Sequence, residues 1–208
     1  SLGEKKESIP FLERTSELEY TLTSFMRKLT ATSKKKIGFL AGHGEKNIYT
    51  DYGSLREELE GQFELEEVRL DSATSSIPRD ISALIIAGPT LKIGELARKT
   101  IKSYLENGGS AMILIDSTRV NTQGLMVSQN ENNFADFLDA YGVKVNKDMV
   151  YDLRSSETVS FGGGFITYTL PYPLWVRALA LDKTLPLAAR VETLSLPWAS
   201  SIELDEAK

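Results

Sequence analysis

Residues 36–45, with the sequence KIGFLAGHGE, decide the fold of this chain. The first half, residues 37–41, is a short and continuous apolar run, and the glycine-rich second half, residues 42–45, ends it sharply. Such a run closed by such a turn is typical of a strand that is buried on both faces and followed by its exit loop. The segment therefore predicts a central strand of a parallel sheet.

Further segments of strand length follow. Residues 63–70 are strand-like, with apolar residues among charged ones, and residues 83–87 and 111–115 are apolar runs. Gly88 and Pro89 follow residues 83–87, and Asp116 follows residues 111–115. We expect these stretches to be neighbouring strands of the same sheet.

Segments with helical spacing of apolar residues alternate with the strands. A capping box of Ser16 and Glu19 predicts a helix over about 16–29, and an apolar stripe predicts another over 93–105. Shorter helices are expected around 55–59 and over 134–141. The alternation predicts an α/β fold, with a mainly parallel sheet and helices on both faces.

The pattern changes from about residue 143. Short β-type pieces stand at 145–153 and 165–168, and prolines at 171, 173, 186 and 197 argue against long helices. We therefore predict a lead-in segment over 1–15, an α/β sheet domain over 16–145, and a strand-rich extension over 146–208 packed on the same domain.

Composition excludes several function classes. The 24 basic and 29 acidic residues give a net charge of -5, so no nucleic acid partner is expected. With no cysteine, the chain has no disulfide and no thiol nucleophile. No apolar run reaches the roughly 20 residues that span a bilayer. The chain starts without methionine and ends in a charged, polar tail. We therefore expect a soluble piece of a longer protein whose membrane anchor lies outside it.

The turns that follow the apolar strands form the candidate site. Ligands of open α/β sheets bind beyond the carboxyl ends of the strands, so loops that leave those ends converge there. The expected ligand- or partner-binding residues are those of these loops: Gly42, His43, Gly44, Glu45, Gly88, Pro89, Thr90 and Asp116.

His43 is the only histidine in the chain, and it has two interpretations. An imidazole beside the Glu45 carboxylate is a candidate general base or metal ligand. In the alternative, Gly42 and Gly44 permit a tight turn while His43 and Glu45 hydrogen-bond the loop backbone. Because a second histidine and cysteine are absent, we favour the second interpretation, and we assign no catalytic residue, metal or cofactor.

Two later motifs have structural explanations that we prefer. Residues 162–164 are three glycines, but a strand-like segment follows them where a phosphate loop needs a helix, so a flexible loop or bulge is expected. Phe161, Tyr168, Tyr172 and Trp175 lie near these glycines. We expect half-buried aromatics that cover a sheet edge rather than a sugar platform.

The order of these residues resembles one family, the auxiliary components of uncharacterised ABC transport systems, which includes GldG-like gliding-motility proteins. The resemblance rests on residues 36–45, on Ile77-Pro78 before residues 83–89, and on Gly108-Gly109 before residues 114–116. It covers about residues 19–201.

The resemblance implies an extracytoplasmic (periplasmic) domain, anchored by membrane segments outside this chain, that acts with an ABC permease and ATPase. It also implies a fold similar to flavodoxin-like and class I glutamine amidotransferase-like domains. Those amidotransferases use a cysteine nucleophile, which is missing here. We therefore expect a non-enzymatic binding or scaffolding domain with an envelope ligand or a partner subunit. The alternative is a hydrolase of a glycan or other envelope substrate that uses His43 with Glu45 or Asp116.

Overall fold

The computed structural model describes most of the chain in two compact units. Described are residues 33–70, 76–121, 126–163, 166–179, 181–185, 188–189 and 191–205, together with Leu18, Glu19, Leu22, Thr23 and Met26. One unit comprises residues 1–89 and 93–114, and the other comprises residues 90–92 and 115–208. None of the described helices is both long and apolar enough to cross a membrane.

A four-stranded parallel sheet forms the centre of the first unit. Its strands are β1 (Lys35–Ala41), β2 (Phe63–Arg69), β3 (Ile81–Ala87) and β4 (Ala111–Leu114), in the order β2-β1-β3-β4. Helix α1 (Gly53–Gln62) connects β1 to β2, and helix α2 (Glu95–Glu106) connects β3 to β4. The predicted α/β fold with a parallel sheet is confirmed. The two helical connections run in opposite directions from the centre of the sheet, and since such crossovers are almost always right-handed, the helices are expected on opposite faces.

Close packing of apolar side chains holds this sheet together. Leu84 and Ile86 of β3 have no exposed surface, and Leu40 of β1 is 2% exposed. Only glycine fits at position 38 of β1, because a Cβ there would lie 2.9 Å from Cγ2 of Val68 and 3.2 Å from Cγ2 of Ile81. A larger residue would push β1 away from its neighbours.

Strand β4 is less buried than its sequence suggests. The continuous apolar run 111–115 predicts burial on both faces, yet Met112 is 56% exposed and Leu114 is 46% exposed. Within the described residues β4 pairs only with β3, so it is the edge of the sheet. An edge strand has fewer neighbours to cover its side chains.

The second unit is built from short antiparallel pairings. Its elements, in chain order, are β5 (Thr118–Asn121), β6 (Met126–Gln129), α3 (Phe134–Asp139), β7 (Val143–Val145), β8 (Ser156–Gly163), β9 (Ile166–Ala178), β10 (Leu194–Pro197) and β11 (Ile202–Leu204). Strand β5 pairs with β6, β7 with β11, and β9 with both β8 and β10. Phe134 and Phe137 bury the inner face of α3.

Strand β9 contains a wide irregularity around Pro173. Ser156 of β8 pairs with Val176, whereas the next residue, Glu157, pairs with Tyr172. Two backbone carbonyls in this bulge accept hydrogen bonds from loop residues. The carbonyl of Pro173 accepts the N–H of Asp152 at 2.9 Å, and the carbonyl of Leu174 accepts the backbone N–H of Trp198 at 2.8 Å. Proline has no backbone N–H, so a bulge suits it better than a regular ladder.

Some of the predicted elements differ from the observed ones. In the predicted strand piece 145–153, only Val145 belongs to a strand. The residues after it form a loop, in which the Asp148 carboxylate accepts hydrogen bonds from the N–H and hydroxyl of Ser201. Five residues of the predicted helix 16–29 are described and helical, and the others lie outside the described residues.

Candidate functional site

The loop after β1 closes on itself through one carboxylate. The Glu45 carboxylate accepts a hydrogen bond from the backbone N–H of His43 at 2.7 Å, and its other oxygen lies 3.2 Å from Nδ1 of the same residue. Gly42 and Gly44 have φ angles of 113° and 77°, which only glycine adopts without strain. The two glycines thus allow the tight turn that brings Glu45 back onto His43.

Both side chains of this pair are buried. The side chain of Glu45 is 1% exposed and that of His43 is 10% exposed. A carboxylate that bonds Nδ1 orients the imidazole, as the aspartate does for the histidine base of a catalytic triad. Within the described part of the chain, no side chain hydrogen-bonds Nε2 of His43.

The same loop is bound to the neighbouring strands. The N–H of Lys46 donates to the carbonyl of Ala87 at the end of β3, at 2.8 Å. The Asn47 amide donates to the Glu67 carboxylate near the end of β2, at 2.6 Å. Beneath them Ile48 is 1% exposed and anchors the loop in the core. The loop is therefore a fixed part of the sheet edge.

The turn after β3 lies at the same edge. The N–H of Gly88 donates to the carbonyl of Leu114 at 2.8 Å, and Pro89 is fully buried. The sheet order reverses between β1 and β3, which is where open α/β sheets place ligands. The structure thus brings six of the predicted residues to one edge: Gly42, His43, Gly44, Glu45, Gly88 and Pro89.

The other two predicted residues, Thr90 and Asp116, belong to the second unit. Asp116 lines a cleft of about 340 Å³, and Thr90 does not. Partial removal from water raises the pKa of the Asp116 carboxyl above its ordinary value. Its backbone carbonyl accepts hydrogen bonds from the amides of Asn130, at 3.0 Å, and Asn132, at 3.3 Å.

Across the described ranges, no three histidine or acidic side chains come close enough together to hold an ion. The glycines Gly162 and Gly163 lie within β8, where Gly162 has a φ of 126°. Gly164 lies outside the described residues.

The aromatic residues after these glycines pack against each other. The ring centroids of Trp175 and Trp198 are 5.4 Å apart, and those of Tyr172 and Trp175 are 6.2 Å apart, both in edge-to-face geometry. These three rings are half-buried, and Tyr168 is 61% exposed. The side chain of Phe161 lies outside the described residues.

A comparison with known families places the chain. The family model ABC_transp_aux, described as an ABC-type uncharacterized transport system, matches residues 34–208. The chain belongs to this family. The match begins just before β1 and covers the whole sheet, both turns of the candidate edge and all of the second unit.

Outside the family model, two proteins are similar to this ABC_transp_aux chain. An uncharacterised protein of Borreliella burgdorferi is 29% identical over 204 residues, which is 96% of this chain and 40% of that protein. The chain thus spans less than half of the length of this relative. A solved structure, the mmIFT52 N-terminal domain, matches with a TM-score of 0.58 and 20% identity, over 82% of this chain and 68% of that one. This second likeness concerns the fold alone.

The polar residues that line the cleft of the second unit were not predicted from the sequence. Residues 129–133, with the sequence QNENN, contribute to its lining. One sequence signal for this wall was available: Asn132 stands two residues before Phe134, and an asparagine side chain often accepts the backbone N–H two residues on. Its carbonyl does accept the N–H of Phe134, at 3.0 Å.

Proposed function

We propose that this chain is a non-enzymatic, extracytoplasmic domain of a bacterial ABC transport system, related to the GldG-like gliding-motility proteins. Through the loops at the carboxyl edge of its sheet it binds an envelope ligand or the ABC permease, and through the permease it acts together with the ATPase. Membership of ABC_transp_aux supports the auxiliary transport role. The observation that carries the proposed site is the closed loop in which Glu45 binds His43.

The geometry of that loop supports recognition rather than catalysis. The Glu45 carboxylate already accepts the N–H of His43 and faces its imidazole, so both of its oxygens are used within the loop. In the catalytic alternative His43 is the base and Nε2 is its reactive atom, and among the described residues no side chain hydrogen-bonds that atom. A loop that is rigid and closed presents its outer backbone to a partner at a low cost in conformational entropy.

The strand order supports the finer description of the fold. The order β2-β1-β3-β4 matches the first four strands of the flavodoxin-like arrangement. A class I glutamine amidotransferase-like domain shares this layout and would carry a cysteine after a strand, and this chain has none. We propose that the region corresponding to the amidotransferase pocket binds a ligand or partner here and catalyses no reaction.

The proposed location depends on a longer protein. The relative from Borreliella burgdorferi is longer than this chain, which covers 40% of it. We therefore place the membrane-anchoring segments outside these residues and the present domain on the periplasmic face of the inner membrane.

One observation favours a second candidate function. The 3.2 Å approach of a Glu45 oxygen to Nδ1 of His43 is also the arrangement of a general base and its orienting carboxylate. The second candidate is therefore a hydrolase of a glycan or other envelope substrate. A hydrolysis screen on glycosides and esters tests it, because activity present in the wild type and abolished by His43→Ala would replace the binding proposal.

The binding proposal is tested by co-purification of the full-length protein with its permease and ATPase from native membranes. We expect the wild type to retain both subunits, and we expect Glu45→Ala to weaken the complex because the edge loop loses its closure. Glu106→Ala is the matched control, since this exposed carboxylate of α2 makes only a 3.6 Å ion pair with Lys102. Absence of both subunits from the wild-type preparation would contradict the proposal.

A further inference from the structure

Among the described residues, strand β9 has no neighbouring strand along one edge before its bulge. Strand β10 pairs with residues 175–178 only, and β8 covers the opposite side of β9. We call the uncovered side of residues 166–171 the open edge of β9. Tyr168 and Leu170 of this segment are 61% and 55% exposed. An open edge with unpaired backbone groups is a template for pairing with another strand.

Charged side chains do not protect this edge. Natural edge strands are often blocked by charges, and the edge strand β2 of the first unit follows that rule with glutamates at 64, 66 and 67. Residues 158–176, in contrast, contain no charged residue, although 25% of the whole chain is charged. Two copies can therefore approach through the open edge of β9 without local repulsion, even though each copy has a net charge of -5.

Pro171 indicates which backbone groups face the open edge. Proline has no N–H, and in an edge strand its nitrogen stands on the unpaired side. Because alternate residues of a strand direct their backbone groups to the same side, Thr167 and Thr169 then direct their N–H and C=O groups to the open edge as well. The threonine side chains share one face of the hairpin, where Oγ1 of Thr169 lies 3.1 Å from Oγ of Ser160, and Tyr168 stands on the other face.

We propose that the open edge of β9 pairs antiparallel with the same edge of a second copy of this chain, about a two-fold axis at Tyr168. In this register Thr167 of each copy lies opposite Thr169 of the other, and each such pair exchanges two backbone hydrogen bonds. Tyr168 lies opposite its own copy in the intervening non-hydrogen-bonded pair, where side chains approach most closely. Threonine pairs and aromatic pairs across strands both stabilise a sheet.

The sequence of the edge selects this register. An axis at Thr169 would place Pro171 opposite Thr167, and the missing N–H of the proline would leave one carbonyl without its bond. The axis at Tyr168 avoids the proline, and it matches threonine with threonine and apolar residues with apolar ones at every paired position.

The outer edge of β8 is less suited to self-pairing, although no described strand covers it either. Gly162 and Gly163 stand opposite Thr167 and Ile166, and glycine brings no side chain to a cross-strand pair. The inference goes beyond the transport role proposed above and does not depend on it.

The test is sedimentation equilibrium of the purified 208-residue chain over a range of concentrations. An interface of a few paired residues is small, and small interfaces are weak, so we expect monomers at about 1 µM and a growing dimer fraction towards about 500 µM. Deuterium exchange provides a second readout without any substitution. The amides of Thr167 and Thr169 should exchange rapidly in the dilute monomer and at least about threefold more slowly at the high concentration.

Two variants act on the edge without touching the pairing of β9 with β8. Thr167→Pro removes an N–H that faces the open edge, and Tyr168→Lys places two like charges opposite each other at the axis. Each should weaken the dimer at least about tenfold, which is readily resolved in the dissociation constant. Thr158→Pro is the matched control, since this exposed residue of β8 lies opposite Pro171 and its N–H faces the outer edge of β8. This control should leave the dimer unchanged.

Three results would overturn the proposal. A chain that stays monomeric at every concentration would leave the open edge to a strand of a different protein. Association that persists in both edge variants would place the contact on another surface, and equal weakening by Thr158→Pro would place it on β8. Because the exchange measurement uses the wild type, it decides the matter even if a substitution lowers the melting temperature. No transport subunit is present, so the outcome is independent of the co-purification test.

Discussion

The Glu45 carboxylate binds its own neighbour: it accepts the backbone N–H of His43 at 2.7 Å while its second oxygen faces the His43 imidazole at 3.2 Å. This contact fixes a turn whose two glycines have left-handed φ angles. It also makes a buried carboxylate part of the sheet edge rather than an isolated charge.

We expect Glu45→Ala to destabilise the first unit by about 1–3 kcal/mol, because a buried N–H loses its charged acceptor. Urea unfolding followed by circular dichroism measures the change. Glu106→Ala, in an exposed ion pair, should cost less than about 0.5 kcal/mol. Equal midpoints for the two variants would show that the Glu45 contact contributes no stability.

Gly38→Ala should destabilise the sheet by about 1–3 kcal/mol, because its Cβ would lie 2.9 Å from Val68 and overpack the core. Gly53→Ala is the matched control, since nothing lies within 4 Å of its Cβ position and it stands at the start of α1. Thermal unfolding of both variants checks this. If Gly38→Ala melts no lower than Gly53→Ala, strands β1 and β2 are not packed as closely as described.

Asp148 should make the protein more sensitive to acid. Hydrogen bonds from the hydroxyl and N–H of Ser201 lower the pKa of its carboxyl. A lowered pKa stabilises the fold fully above the unfolded value of about 3.9, and this contribution is lost as the pH falls below it. Asp148→Asn should therefore reduce the difference in stability between neutral and acidic pH. Stability curves parallel to the wild type across that range would contradict the assignment.

Asp116 should behave in the opposite way. Partial removal from water raises the pKa of its carboxyl, so the folded state binds the proton more tightly than the unfolded chain does. The stability that this adds is present below the unfolded pKa of about 3.9 and is lost as the pH rises through the folded value. NMR titration of the side-chain carboxyl carbon should give a midpoint above that of ordinary aspartates. A midpoint at or below the ordinary value would refute the burial effect.

Strands β1 and β3 were predictable because their central residues form apolar runs, which strands buried on both faces need. Strand β2 mixes apolar and charged residues and was predicted from its strand-like pattern. All three were predicted almost within their observed bounds. The exposure of Met112 and Leu114 was not predictable, because an apolar run does not reveal which strand has a neighbour on only one side.

The second unit was harder to predict for a physical reason. Strands β5 and β6 have only four residues each, and β6 is exposed throughout, so neither gives a pattern long enough to predict a strand. The piece 145–153 looks extended in sequence, but the backbone between Val145 and Asp152 is held by side-chain and loop hydrogen bonds, which periodicity does not encode.

The sequence predicts the residues of the candidate sheet edge better than it predicts the domain limits. The structure places Gly42, Glu45 and Gly88 at one sheet edge, because the carboxyl ends of parallel strands share that edge, and it groups Asp116 with the second unit. The predicted domain limits at 16–145 and 146–208 stay a prediction, whereas the contacts of the structure group Ile115 with the later residues. The polar cleft was not predictable, because Asn130 and Asn132 hold its wall by hydrogen bonds to the carbonyl of Asp116, which is distant in sequence.

The bulge at Pro173 divides β9 into two parts whose backbone amides should exchange with solvent at different rates. Before the bulge β9 pairs with β8 alone, and only its last residues, from Trp175 onward, also pair with β10. Thr167, Tyr168, Thr169 and Leu170 are all exposed. Their amides should therefore take up solvent deuterium well before those of Val176 and Arg177, so one strand would record two different opening rates along its length.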